Sequence, residues 1–156
     1  MYLVINLILY MFTISHKLNK EAKATVVFVD DNFNFKNQSN YFSKADLIHI
    51  DLFKNDFGKD DIVKFDLFKQ NKKQKIILYK LNNKTTEFDY QKAGGLIFKE
   101  LKSCLSVNIL IESFPNIQNN IFLFFTNFLL GFFSRSYKFD NYKLKKNDKD
   151  NLLKSL

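Results

Sequence analysis

Residues 24–29 read Ala-Thr-Val-Val-Phe-Val, six uncharged positions of which four are β-branched. A strand with one wet face alternates apolar and polar residues, whereas an unbroken run of this kind marks a strand buried on both faces of a sheet. Helices are then needed on each side, so an α/β domain is the expectation. Downstream, 30–40 is polar and rich in asparagine, as a loop would be. From 41 to 57 the set Phe42, Ala45, Ile48, Leu52 and Phe53 fits one helical face, although Ile48, Ile50 and Leu52 also alternate as in a strand; the helix is the preferred reading. Strands are expected over 61–68 and 75–81, with Gln-Asn-Lys-Lys-Gln at 70–74 turning between them. That turn gathers Lys69, Lys72, Lys73 and Lys75 at one end of a hairpin, where a solvated loop is the simplest role.

Upstream, residues 1–14 form an apolar stretch, Met-Tyr-Leu-Val-Ile-Asn-Leu-Ile-Leu-Tyr-Met-Phe-Thr-Ile. No basic residues precede it, no small-residue cleavage site follows, and it falls short of the roughly 20 residues that span a bilayer. It is expected to be a buried first strand, centred on 12–15. Met11 is also a candidate start, because the residues after it already supply a strand, a turn and the strand at 24–29.

The second half has sharper signals. Thr86 and Asp89 have the spacing of a capping box, and Tyr90, Ala93, Ile97, Leu101 and Cys104 recur at helical intervals, predicting a helix over 88–102. Gly94 and Gly95 inside it each cost about 1 kcal/mol relative to alanine, so they are expected to admit another element at close range. Val107, Ile109 and Ile111 alternate as a strand that Phe114-Pro115 ends. A helix is expected from about 116 or 117 to 134, apolar almost all round and therefore packed between a sheet and something else. Thr126, Asn127 and Gly131 interrupt its apolar run, which is too short to span a membrane.

Composition narrows the function classes. With 46% hydrophobic and 26% charged residues the 156-residue chain is one folded domain. Cys104 is the single cysteine, so no intramolecular disulfide forms, and with His16 and His49 on different predicted elements no zinc site of the Cys/His type is expected. The net charge of +8 comes almost wholly from lysine, Arg135 being the one arginine. Arginine is the side chain shaped for bidentate phosphate and guanine contacts, so this excess is read as solvated surface, with nucleic-acid binding disfavoured. Gly94-Gly95 lies inside a helix, and no glycine-rich phosphate loop occurs. Asp30-Asp31 after the strand at 24–29, with Asp51 following Ala-Asp-Leu-Ile-His-Ile, is similar to the acid pair and acceptor of a phosphate-accepting receiver domain. Only about twenty residues separate them, too few for the helix and strand that such a domain places between.

The run from Gly131 to Lys143 carries a resemblance. Gly131, Ser136, Tyr137, Lys138, Phe139, Asp140, Tyr142 and Lys143 match a pattern close to Gly-x-x-x-x-Ser-Tyr-Arg/Lys-Phe-Asp-x-Tyr-Lys. That pattern closes the N-terminal domain of the cytosolic leucyl aminopeptidase family. The stretch 91–103, with Gly94-Gly95, is similar to the preceding helix of that domain, and Phe57-Gly58-Lys59 resembles an earlier turn. Order and spacing agree over about 11–145. Tyr79-Lys80-Leu81-Asn82 departs from the family, which commonly has Gly-Leu-Gly there.

The resemblance implies a single macro-domain-like fold over 1–143, a mixed and largely parallel sheet flanked by helices, with residues 1–10 outside the match and a charged linker or tail over 144–156. It implies a cytoplasmic, non-membrane protein. The family are two-metal exopeptidases whose Zn or Mn ligands lie in a separate catalytic domain, on a run like Asn-Thr-Asp-Ala-Glu-Gly-Arg that this sequence lacks. This chain is thus expected to hold no cofactor and no catalytic residues, and to act as a non-catalytic module of a truncated, fragmentary or split enzyme. Its partners would be a separate catalytic chain or further copies of itself. Tyr137, Phe139 and Tyr142 are expected to anchor the start of the linker. Two alternatives stand beside this reading: a nucleic-acid or small-ligand binding module, and the receiver-like phosphoacceptor.

Overall fold

The computed structural model describes residues 2–6, 11–15, 17–54, 61–69, 72–81, 86–104, 106–114 and 121–136. Six strands, β1 (Tyr2–Asn6), β2 (Met11–Ser15), β3 (Ala24–Val29), β4 (Ile62–Lys69), β5 (Lys72–Lys80) and β6 (Ser106–Leu110), form one sheet in the order β2-β1-β6-β3-β5-β4. Four helices accompany it: α1 (Gln38–Tyr41), α2 (Lys44–Lys54), α3 (Glu87–Leu101) and α4 (Ile121–Ser136). The α/β architecture expected from residues 24–29 is the observed one. Every residue of β3 is buried. Ala24, Val26 and Phe28 pack beneath α3 and α4, and Val27 and Val29 face the opposite cluster, which holds Ile50 of α2.

The sheet is less parallel than expected. β3 runs parallel to β5 and β6, but the β1–β2, β1–β6 and β4–β5 pairs are antiparallel. Short connections dictate this for β1–β2 and β4–β5, because a chain that turns back after a few residues can pair only antiparallel. The amino-terminal apolar stretch is likewise two strands rather than one. β1 lies between β2 and β6, so the pairing of β2 with the sheet runs through the first ten residues. No glycine or proline punctuates residues 1–14, which hid the reversal from a sequence reading.

α2 is a helix, as preferred, but only part of the expected face turns inward, Phe42 and Phe53 but not Ala45, Ile48 or Leu52. Ile48 and Leu52 are 63% exposed, while Ile50 is buried and Leu47 and Phe53 pack on Phe65, Leu67, Ile76 and Leu78. The start of the helix is fixed by its own side chains. Ser43 N and Ser43 Oγ both donate to Asp46 Oδ2 (2.9 and 2.8 Å), and Asp46 N donates back to Ser43 Oγ (3.2 Å), a reciprocal cap. Phe42 just before it and Leu47 just after share one apolar cluster, stapling the entry angle. Ile111, expected to continue β6, instead opens a 3-10 turn, Ile111–Ser113. The β3–β6 ladder ends at Val27 and Leu110, and Ser113 Oγ takes over by accepting from Phe28 N (2.8 Å) and donating to Leu110 O (2.6 Å).

The capping box at α3 is present as the sequence predicts. Thr86 N and Oγ1 donate to Asp89 Oδ2 (2.8 and 2.7 Å), which holds the Asp89 carboxyl below its ordinary 3.8. Thr86→Ala should therefore cost about 1 kcal/mol at neutral pH. A depressed carboxylate adds stability above its unfolded pKa and loses it as pH falls through the folded one. Urea melts of the two proteins are expected to differ most at pH 7 and by a smaller amount below the usual carboxylate range, where the loss of the Thr86 Oγ1 cap on Asp89 N remains; a gap independent of pH would refute the contribution of the Thr86 hydroxyl to the Asp89 carboxylate.

Candidate functional site

α4 carries Phe124, Phe128 and Phe132 at intervals of four, and all three are buried. Phe28 of β3 meets Phe124 and Phe128 edge to face, with ring centroids 5.0 and 5.6 Å apart. Tyr90 and Phe98 of α3 meet Phe124 and Phe132 in the same way, each at 5.0 Å. For α4 to settle this low on the sheet it must cross α3 almost backbone to backbone, and glycines allow it. A Cβ on Gly94 would press into the Phe128 carbonyl oxygen and come 2.7 Å from Phe132 N, and one on Gly131 would run into the Gln91 backbone, 2.7 Å from its Cα. Gly95 is different, since its Cβ would reach Gly131 O at an ordinary 3.6 Å. Burying each phenylalanine is worth about 1.5–3 kcal/mol, against about 1 kcal/mol for each glycine in a helix, so the close crossing wins. Beside it Gln91 Nε2 donates to Asn127 Oδ1 (2.7 Å), and Asn127 Nδ2 donates to Leu123 O (3.1 Å), which satisfies a buried amide in the seam.

Of the residues singled out in the sequence, Gly131 thus sits in the helix crossing, and Ser136 closes α4 by donating from Oγ to Phe133 O (2.7 Å). Tyr137, Lys138, Phe139, Asp140, Tyr142 and Lys143 lie outside the described residues, as do Phe57-Gly58-Lys59 and the tail over 144–156. The expectation that α4 is covered on both sides needs correction: Phe122 is 78% exposed and Leu130 54%, because α4 lies in an outer layer and packs through the stripe facing α3 and the sheet.

His49 is exposed on α2, His16 lies outside the described residues, and Cys104 is a buried free thiol. Asp30 organises its own loop, its Oδ1 accepting from Asn32 N and Asn34 N, both at 2.8 Å. Asp51 lies on α2 rather than at the end of a strand, so the receiver arrangement does not form. Among the described residues no three His, Cys, Asp or Glu side chains gather as a metal site, and no helix is long and apolar enough to cross a membrane.

A cleft of about 720 Å³ opens where β3, β5 and β6 begin, between the sheet and the start of α2. Its walls include Leu18, Phe42 and Leu110, and its floor is polar. Asn108, Thr25 and Asp46, 2%, 5% and 8% exposed, are the buried polar side chains there. Asn108 Oδ1 accepts from Asn19 N (3.1 Å) while its Nδ2 donates to Asn19 O (2.9 Å), and Gln74 Nε2 donates to Thr25 Oγ1 (3.2 Å). Lys20, Lys23, Lys72 and Lys73 ring the mouth. Lys72 and Lys73 belong to β5, not to a loop, and pair with Glu21 (2.7 Å) and Asp66 (2.9 Å). The hydrogen bond from Lys72 holds the Glu21 carboxyl below the usual carboxylate range. Sequence reading missed this cleft; its one signal was a polar residue set in each of two apolar strands, Thr25 and Asn108.

Against this geometry, comparison with known proteins adds no relative: no protein-family model matches the chain, and no curated protein matches it.

Proposed function

We propose that the chain is a non-catalytic module of the kind that precedes the catalytic domain in cytosolic leucyl aminopeptidases, with a macro-domain-like fold, acting beside a metal-bearing catalytic domain or chain. The observation that supports this reading is the helix crossing. The two stretches on which the resemblance rests, 91–103 and 131–143, are forty residues apart in places, yet Gly94 of one and Gly131 of the other each lie where the opposite helix leaves no room for a Cβ. Paired glycines in a resemblance of pattern alone would have no reason to meet.

Two-metal peptide hydrolysis needs carboxylates converging on both ions, and this module would contribute none. The purified chain is expected to release no amino acid from a leucyl substrate, with or without Mn²⁺ or Zn²⁺, and to co-elute with the catalytic domain of a leucyl aminopeptidase when the two are co-expressed. Metal-dependent turnover that co-purifies with the folded chain, or complete failure to associate, would overturn the reading.

A further inference from the structure

We propose that the cleft at the amino-terminal ends of β3, β5 and β6 binds a small phosphate-bearing ligand with a planar ring, in the chemical class of a nucleoside monophosphate. The inference stands apart from the module reading and does not depend on it. Three features of the cleft converge on that chemistry. Its volume, about 720 Å³, lies in the range of small-ligand sites. Its charge is unbalanced toward an anion: four lysines line it against the carboxylates of Glu21 and Asp46. Lys72 and Lys73 are already paired, and Asp46 is held by Ser43. Lys20 and Lys23 make no ion pair among the described residues, although Lys23 helps Lys72 hold the Glu21 carboxyl low, and with four lysines against two carboxylates the mouth keeps positive charge for a phosphate.

The third feature is aromatic. Phe68, near the end of β4, lines the same cleft and is 76% exposed. A lone exposed phenylalanine needs no explanation, but one set beside a basic rim offers a stacking face to a planar ring whose phosphate the lysines hold. Beneath it the floor is preset. Thr25, Gln74 and Asn108 are locked by hydrogen bonds to one another or to Asn19, and Gln74 Oε1 and the Thr25 hydroxyl proton remain for a ring edge. Groups already fixed in place lose little freedom when a ligand arrives. The position departs from the usual rule for open α/β sheets, in which ligands sit at the carboxyl ends of the strands. Here lysine side chains supply the positive field beside the start of α2.

The test is an amide-resolved NMR titration of the whole chain with adenosine monophosphate, adenosine, inorganic phosphate and a short oligothymidylate. Saturable shifts at Thr25, Gln74 and Asn108 with the monophosphate are expected, with weaker binding of adenosine and of phosphate alone. The Lys20→Ala/Lys23→Ala double variant, both positions being exposed, should fold normally and weaken the monophosphate about tenfold or more. Phe68→Ala should weaken it about fivefold or more. The proposal is overturned by the absence of saturable shifts at millimolar monophosphate, by shifts that map elsewhere, or by affinity unchanged in the lysine variant. Equal binding of phosphate alone removes the ring from the site, and binding of the oligonucleotide without the monophosphate replaces it with a nucleic-acid surface; either also overturns it.

Discussion

Gly94→Ala is expected to destabilise the protein by about 2–3 kcal/mol and to lower its melting temperature by roughly 6–10 °C, although alanine is the better helix former. In an open helix the change would stabilise by about 1 kcal/mol. Here the new methyl meets the backbone of Phe128 and Phe132, and backbone cannot swing aside as a side chain can. The helices must separate, and the separation is felt by every ring contact between α4 and the sheet. Gly131→Ala should behave alike, since its methyl would meet the Gln91 backbone. Gly95→Ala is the control: with 3.6 Å to its nearest neighbour it should leave stability unchanged or raise it by up to about 1 kcal/mol. Thermal melts of the three variants decide the point, and equal effects at 94 and 95 would show that the crossing is not this close.

Phe124→Ala should have the larger effect, a loss of about 3–5 kcal/mol. Its ring stands edge to face with Phe28 and Tyr90, each at 5.0 Å, and lies beside Phe114 at 5.9 Å and Phe128 at 5.8 Å. Removing it opens a hole bordered by a strand, two helices and the segment after β6, so no single side chain can relax into it. Two residues away Phe122 is 78% exposed, and Phe122→Ala should stay within about 0.5 kcal/mol. Denaturant titration separates the two outcomes. A large loss at 122 would mean that the outer face of α4 is covered, as it would be against a second domain or another copy of the chain.

The contrast between those phenylalanines bears on what could be read in advance. Residues 121–133 are so uniformly apolar that the sequence marks a packed helix without marking its buried side. The same ambiguity misled the reading of α2, which carries two apolar stripes, one through Ala45, Ile48 and Leu52 and another through Leu47, Ile50 and Phe53. The Ser43–Asp46 cap has the spacing of Thr86–Asp89 and marks where the helix begins, but which stripe turns inward depends on what the rest of the fold lays against it. The lysines at 72 and 73 were read as loop because a charged cluster looks like a turn; strand pairing with β4 and carboxylates from β4 and from the turn before β3 place them in the sheet.

By itself the sequence determined the features that depend on neighbours within a few residues. These are the doubly buried strand at 24–29, the capped start of α3, the helical course of α3 and α4, and the need for something to lie against Gly94. Each rests on backbone propensity, periodicity or the space a missing Cβ leaves, and those are local properties. Tertiary structure alone decided which apolar stripe of α2 turns inward, where the first fourteen residues reverse, and the cleft itself. The cleft draws residues between Leu18 and Thr25 and between Tyr41 and Asp46, together with Phe68, Lys72, Lys73, Gln74, Asn108 and Leu110, from separate parts of the chain. No local rule brings such segments together. That is the work of the parallel pairing of β3 with β5 and β6, which closes long loops only because the buried faces of the sheet offset their entropy.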